Sequence, residues 1–161
     1  MTPVIKHDGH DIASPLYAPP TPPPPPRYLP SMQILVLTLV TGAVFLVADA
    51  LMLSTVMKPL FQRHLGAGLL DGLRYLPAIL FYLIYLFGMV WFAGLPGLRE
   101  GAGAAALNGA ILGLVAYGTY ELTSWAVMRD WHPAMVATDI AWGTVLTAGS
   151  VTAGVLAARA L

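Results

Sequence analysis

Four long apolar runs limit what this chain can fold into more than any other feature. They cover residues 33–57, 76–95, 104–128 and 133–158. Each holds about 20 residues or more, and about 20 helical residues at 1.5 Å each cross the hydrocarbon core of a bilayer. None of the runs alternates with the period of two that a transmembrane strand shows. The sequence therefore predicts an all-α integral membrane protein with four transmembrane helices.

Composition supports the same class of protein. Of the 161 residues, 57% are hydrophobic and only 10% are charged, whereas an ordinary soluble domain is about one quarter charged. Eight basic and eight acidic residues cancel, so the charge gives no reason to expect nucleic acid as a partner. No cleavable signal pattern precedes the first run, so we expect an uncleaved multi-pass protein in the inner (cytoplasmic) cell membrane.

The connections predict the arrangement of the helices. Segments 96–103 and 129–132 are short, so neighbouring helices should be antiparallel. The longer segment 59–75 should contain a short helix lying in the membrane interface. Its apolar positions are Phe61, Leu65, Leu69 and Leu70.

The first 30 residues differ in composition from the rest. They contain ten of the fourteen prolines, including the run 22–26, a composition that favours extended polyproline II structure. One interpretation is a disordered tail. The other is a stiff strap that docks on a partner through Tyr17, Arg27 and Tyr28.

Three acidic residues lie inside the apolar runs: Asp49, Glu121 and Asp139. An ionisable group in hydrocarbon normally faces a partner or a water-filled cavity. All three should lie roughly 9 to 12 Å below the same membrane face, so we expect one intramembrane polar cluster. The other predicted members are Arg74, Tyr75, Tyr117 and Thr138, with His64, Arg129 and His132 as contributors at the edge.

Several roles for these acids remain open at the sequence level. They can bind a lipid-like substrate, move protons or ions, or simply accept hydrogen bonds from tyrosine, threonine and tryptophan. No helix carries the Glu-x-x-His pattern of metal-binding bundles, so we predict no metal and no cofactor. A bound lipid is compatible with the pattern.

Small residues and aromatic residues indicate how the helices pack. Gly109 and Gly113 have the small-x-x-x-small spacing that lets helices approach closely, and segment 141–154 is rich in alanine, glycine, threonine and serine. Trp91, Trp125, Trp131 and Trp142 are interpreted as membrane-interface anchors. The aromatic residues of the second run cover too much of its circumference for one stripe, so some should face lipid or another subunit.

Several motifs resemble one family. They are DALML at 49–53, AYGTYELT at 116–123, WHP at 131–133 and TDIAWGT at 138–144. From about residue 31 onward the chain resembles the bacterial predicted membrane proteins of domain of unknown function 2177. Glu121 stands where the family usually has aspartate, Ser124 where it has asparagine, and Met52 where tryptophan is common. The resemblance implies a four-helix membrane protein and no particular activity.

The predicted function is that of an accessory or assembly subunit of a larger membrane complex. In this prediction the chain docks through its proline-rich tail and aromatic helix faces onto other subunits or a second copy of itself. The first alternative is a small membrane enzyme or binding protein for a lipid-like substrate, using Asp49, Glu121 and Asp139. The second alternative is proton or ion conduction. A role without catalysis is favoured.

Overall fold

A computed structural model describes residues 30–161 and consists of four long helices. These are α1 (Ser31–Gly68), α2 (Tyr75–Glu100), α3 (Ala102–Val127) and α4 (Pro133–Arg159). All four are long and apolar enough to cross a membrane, and this part of the chain contains no strand. The predicted all-α fold with four candidate membrane spans is confirmed. The tail and its predicted contacts Tyr17, Arg27 and Tyr28 lie outside the described residues.

Two helices continue through a proline where the sequence predicted an end. In α1, a π-helical turn at Leu53–Met57 joins Ser31–Met52 to Lys58–Leu65, and Gly66–Gly68 forms a last 3-10 turn. In α2, a π-helical turn at Met89–Gly94 joins Tyr75–Gly88 to Leu95–Glu100.

Pro59 and Pro96 each stand second in the α-helical segment that follows a π turn. Proline lacks the N–H that the helix would need there, and its ring crowds the preceding turn. A π turn inserts one extra residue and shifts the hydrogen-bond register at that point. The predicted ends at 57 and 95 were wrong because the helix accommodates both prolines in this way.

The connections are correspondingly different from those predicted. Gly101 alone joins α2 to α3, with φ of 112°, a conformation that only glycine adopts easily. The predicted loop 96–103 is therefore almost entirely helical. The short helix expected within 59–75 exists as Lys58–Leu65, but it continues α1, and Leu69 and Leu70 lie beyond it.

Helix α4 lies at the centre of the core and packs against both α1 and α3. The α3–α4 seam consists of Gly109 and Gly113 on α3 facing Ala148 and Gly143 on α4. A Cβ atom at Gly109 would lie 2.9 Å from Ala148 Cα, and one at Gly113 would collide with the carbonyl oxygen of Gly143. The small residues thus serve close packing within the chain, as their spacing predicted.

Helix α2 is packed unevenly along its length. In Tyr75–Gly88 the only buried residue is Tyr85, whereas the second half buries Met89, Ala93 and Leu98 among others. The buried second half meets α1 through Gly94, where a Cβ would touch Leu37 at 2.8 Å. The loosely packed first half leaves space between the helices, and the candidate site lies there.

Candidate functional site

A cavity of about 410 Å³ lies between the four helices at the loosely packed end of α2. We call it the acidic cavity. Its lining combines two carboxyl groups with tyrosine, phenylalanine and aliphatic side chains, and residues 30–161 contribute no lysine, arginine or histidine to it. The lining residues are Asp49, Leu53, Phe61, Leu73, Ala78, Phe81, Tyr82, Ala116, Tyr117, Tyr120 and Asp139.

Asp49 is held in place by helix α2. It lies on α1 one helical turn before the π turn at Leu53–Met57, and its side chain is 5% exposed. The hydroxyl of Tyr82 donates a hydrogen bond to Asp49 Oδ2 over 2.7 Å. The indole of Trp142 lies beside the same carboxyl group, yet its Nε1 has no hydrogen-bond partner among the described residues.

Glu121 lies behind the wall of the acidic cavity. It is fully buried, and Trp131 Nε1 donates a hydrogen bond to Glu121 Oε2 over 2.7 Å. Its other oxygen, Oε1, is buried without a hydrogen-bond partner in the described part of the chain. Trp131 is fixed in turn by the rings of Phe61 and Tyr120, whose centroids lie 5.5 Å and 5.6 Å from its own.

Asp139 connects the other two acids. It lines the cavity from α4 opposite Asp49, and its side chain lies within hydrogen-bonding reach of Glu121. Two carboxyl groups that share a low-dielectric site do not both stay ionised unless a cation joins them. The structure therefore brings the three predicted acids into one region, with two lining the cavity and one behind it.

The other predicted members are distributed unevenly. Tyr117 lines the cavity with its ring against Gly143, where any Cβ would collide with it. Thr138 is half-buried and is not part of the lining. Arg74 and Tyr75 are exposed outside the cavity, contrary to their predicted place in the cluster. They stand at the start of α2, which is little packed, and long charged side chains tend to keep their head groups in polar surroundings.

The predicted edge residues form a separate feature. The rings of His64 and His132 stack with centroids 4.0 Å apart and planes within 11° of parallel. His132 Nδ1 accepts a hydrogen bond from the backbone N–H of Ala134 and so caps the start of α4. Arg129 is exposed in the α3–α4 connection. No three His, Cys, Asp or Glu side chains within residues 30–161 are placed to hold a metal ion.

Trp131 is a functional-site residue whose role was predicted wrongly from the sequence. It was interpreted as an interface anchor, but it is only 5% exposed and binds Glu121. Together with Met135 and Val136 it forms a small core beneath Phe61 and Leu65 of the α1 extension. A tryptophan between two helix ends and ten residues from a buried acid was a usable signal, because a buried indole N–H needs an acceptor.

The helices and the buried acids together define an integral membrane protein with a polar site between its spans. The chain belongs to the predicted membrane protein family called domain of unknown function 2177, whose family model matches residues 34–156. That range contains Asp49, Glu121 and Asp139, and the resemblance seen in the sequence is confirmed. No curated protein matches the chain, and no solved structure matches it.

Proposed function

We propose that this membrane protein binds an amphipathic, lipid-like molecule in the acidic cavity. The apolar chain of the ligand would lie against aliphatic and aromatic walls, and its polar head would reach Asp49 and Asp139. One observation carries the proposal: the cavity of about 410 Å³ combines these two carboxyl groups with an otherwise largely apolar lining. Its volume falls within the range of about 300 to 1,000 Å³ of small-molecule sites.

The hydrogen bonds distinguish the three acids: Glu121 has a structural role, whereas Asp49 and Asp139 are available to a ligand. Glu121 accepts from Trp131 behind the cavity wall, which suits a structural group. Asp49 accepts from Tyr82, but it also lines the cavity, as does Asp139. A carboxyl group inside a membrane span is costly unless something binds it. The two acids that face open space are therefore the ones that a ligand would engage.

The rim of the cavity suits entry from the lipid phase. Four apolar or aromatic residues of the lining are also exposed: Leu53, Phe81 and Tyr120 on the helices, and Leu73 in the connection between α1 and α2. In a bilayer such side chains face hydrocarbon, so a single-chain amphiphile would enter laterally without passing through water. The weak packing of Tyr75–Gly88 provides the opening.

Equilibrium binding to the purified full chain in phosphatidylcholine nanodiscs tests the proposal. The probes are radiolabelled dodecylamine, dodecanol and dodecanoate, with empty nanodiscs giving the background from partition into lipid. We expect saturable binding of at least one probe above that background. A lack of saturable binding for all three would refute the proposal.

A matched pair of variants locates the bound probe. Ala116→Phe places a ring in the cavity and should abolish the saturable component, since Ala116 is part of the lining. Val115→Phe adds a ring at the neighbouring exposed position and should bind as the parent chain does. Equal binding by both variants would place the probe elsewhere.

The role as an accessory or assembly subunit remains a prediction, as does a location in the inner membrane. The tail that would dock lies outside the described residues. The exposed aromatic side chains of α2, among them Phe87, Trp91 and Phe92, would meet lipid in any membrane protein of this kind.

A further inference from the structure

We infer that the ligand of the acidic cavity carries a cationic head, of the class of long-chain alkyl amines. The inference rests on the proposed function and narrows it from amphiphiles in general to those with a protonated nitrogen. It depends on the charges that face the cavity, on a buried second carboxyl group in contact with Asp139, and on the aromatic character of the walls.

The charges around the cavity are of one sign. Asp49 and Asp139 line it, Glu121 lies directly behind Asp139, and no basic side chain from the described part of the chain belongs to the lining. Arg74, which the sequence placed here, is exposed outside. Acids within a membrane span normally face a partner of opposite charge. Because the described lining supplies none, a cationic ligand would complete the site, whereas an amphiphile with a purely anionic head would be repelled.

Glu121 provides a second indication. It is fully buried, and its Oε2 atom accepts a hydrogen bond from Trp131. Its side chain also contacts that of Asp139, and a hydrogen bond between two carboxyl groups requires a proton on one of them. An ammonium head at Asp139 would bring positive charge to the Asp139–Glu121 pair and let both groups remain ionised. A neutral hydroxyl head offers one donor and no charge, so it would not do this.

The walls near the two acids are aromatic. Phe81, Tyr82, Tyr117 and Tyr120 all line the cavity. The rings of Phe81 and Tyr82 lie 5.2 Å apart, and Tyr117 stands edge-on to Tyr85 at 6.1 Å. Aromatic faces attract cations within about 6 Å of the ring centroid. Carboxyl groups beside several aromatic rings form the arrangement that recognises organic ammonium groups.

The nanodisc assay with the three probes tests the charge of the head directly. We expect dodecylamine to bind roughly tenfold more tightly than dodecanol, the size expected for one charge-assisted contact, and dodecanoate to bind most weakly. Asp139→Asn should weaken the binding of dodecylamine by a similar factor and leave the affinity for dodecanol within about threefold of that of the parent chain. Glu100→Gln, an exposed acid at the far end of α2, should change neither.

Each outcome separates this inference from the proposed function. If dodecanol competes as well as dodecylamine, the cavity binds amphiphiles but the cationic head is refuted. If the amine is preferred yet Asp139→Asn and Asp49→Asn both bind it normally, its recognition does not involve these acids and the inference is again refuted. If Asp139→Asn does not fold, Asp49→Asn is the variant to test in its place, because asparagine still offers an acceptor to Tyr82. If neither variant folds, competition on the parent chain still decides the preference.

Discussion

The α3–α4 seam and the acidic cavity share helices α3 and α4, but the two regions are built in opposite ways. At the seam, the glycines have no side chains, so the two helix backbones lie in contact, and a single added Cβ at Gly113 would collide with Gly143. At the cavity, most of the lining side chains are large and the helices still do not close the space between them. The difference shows that the open space is not a general looseness of the bundle.

The two regions are joined at α4. Asp139 precedes Gly143 by four residues, or one helical turn, so the seam determines where the Asp139 carboxyl group points. Tyr117 spans the boundary, with its ring on Gly143 and its side chain part of the cavity lining. Close packing on one side therefore positions an acid and an aromatic wall on the other. We expect substitutions at the seam to affect folding and substitutions at the cavity to affect binding.

The largest expected effect comes from breaking the seam with Gly113→Leu. The added side chain would meet the backbone of Gly143 and Thr144, and neither can move without displacing α4. Overpacking typically costs about 1 to 3 kcal/mol, and an immovable backbone neighbour places this variant at or above the upper end. We expect the free energy of unfolding, measured by titration with denaturing detergent in mixed micelles, to fall by about 3 kcal/mol or more.

Gly149→Leu is the matched control for that measurement. Gly149 lies on α4, is exposed, and a Cβ there would meet nothing within 4 Å. Its free energy of unfolding should stay within about 0.5 kcal/mol of the parent. Equal losses in both variants would show that leucine at any glycine is harmful and that the seam is not special.

A smaller loss of stability is expected from Trp131→Phe, which lies behind the cavity wall beside Glu121. Phenylalanine keeps most of the apolar contact with Phe61 and Tyr120 but removes the donor to Glu121 Oε2, which would leave both oxygens of a fully buried carboxyl group unpaired. An unsatisfied buried polar group costs about 1 to 3 kcal/mol. We expect a loss of about 2 kcal/mol in the same detergent titration.

Two companion variants sharpen this result. Trp125→Phe alters an exposed tryptophan on α3 and should leave stability unchanged. Combining Trp131→Phe with Glu121→Leu should restore part of the loss, since the unpaired carboxyl group is then gone. If the loss of unfolding free energy in the double variant equals the sum of the losses in Trp131→Phe and Glu121→Leu, the hydrogen bond between the two residues contributes nothing of its own.

The seam and the cavity also differ in how far the sequence predicted them. Gly109 and Gly113 have a spacing with one physical meaning, close helix approach, and the structure uses them for that. The three acids were placed at one depth because rise per residue is constant along a helix. Their side-chain partners were harder to predict, since partner choice depends on rotation about each helix axis and on how tightly helices pack.

The residues that sequence reasoning placed wrongly show this dependence. Arg74 was assigned to the acids from its charge, but the start of α2 is unpacked and the residue is exposed. Trp131 was assigned to the interface from its position near helix ends, although the extension of α1 past Pro59 covers it. Both errors follow from the π turns and uneven packing, which depend on contacts between helices and have no simple sequence signature.

The smallest effect on stability is expected inside the cavity, from Tyr82→Phe. The change removes the hydroxyl that donates to Asp49 Oδ2 and keeps the ring in the lining. Asp49 is nearly buried but lines the cavity, so water or a ligand there can replace the lost donor, and we expect about 1 kcal/mol or less in the detergent titration. Tyr75→Phe, an exposed tyrosine on the same helix, gives the baseline. If Tyr82→Phe lowers the free energy of unfolding as much as Trp131→Phe does, then neither water nor a ligand can replace the lost donor at Asp49. Asp49 would then belong to the packed part of the protein, as Glu121 does, and not to an open cavity.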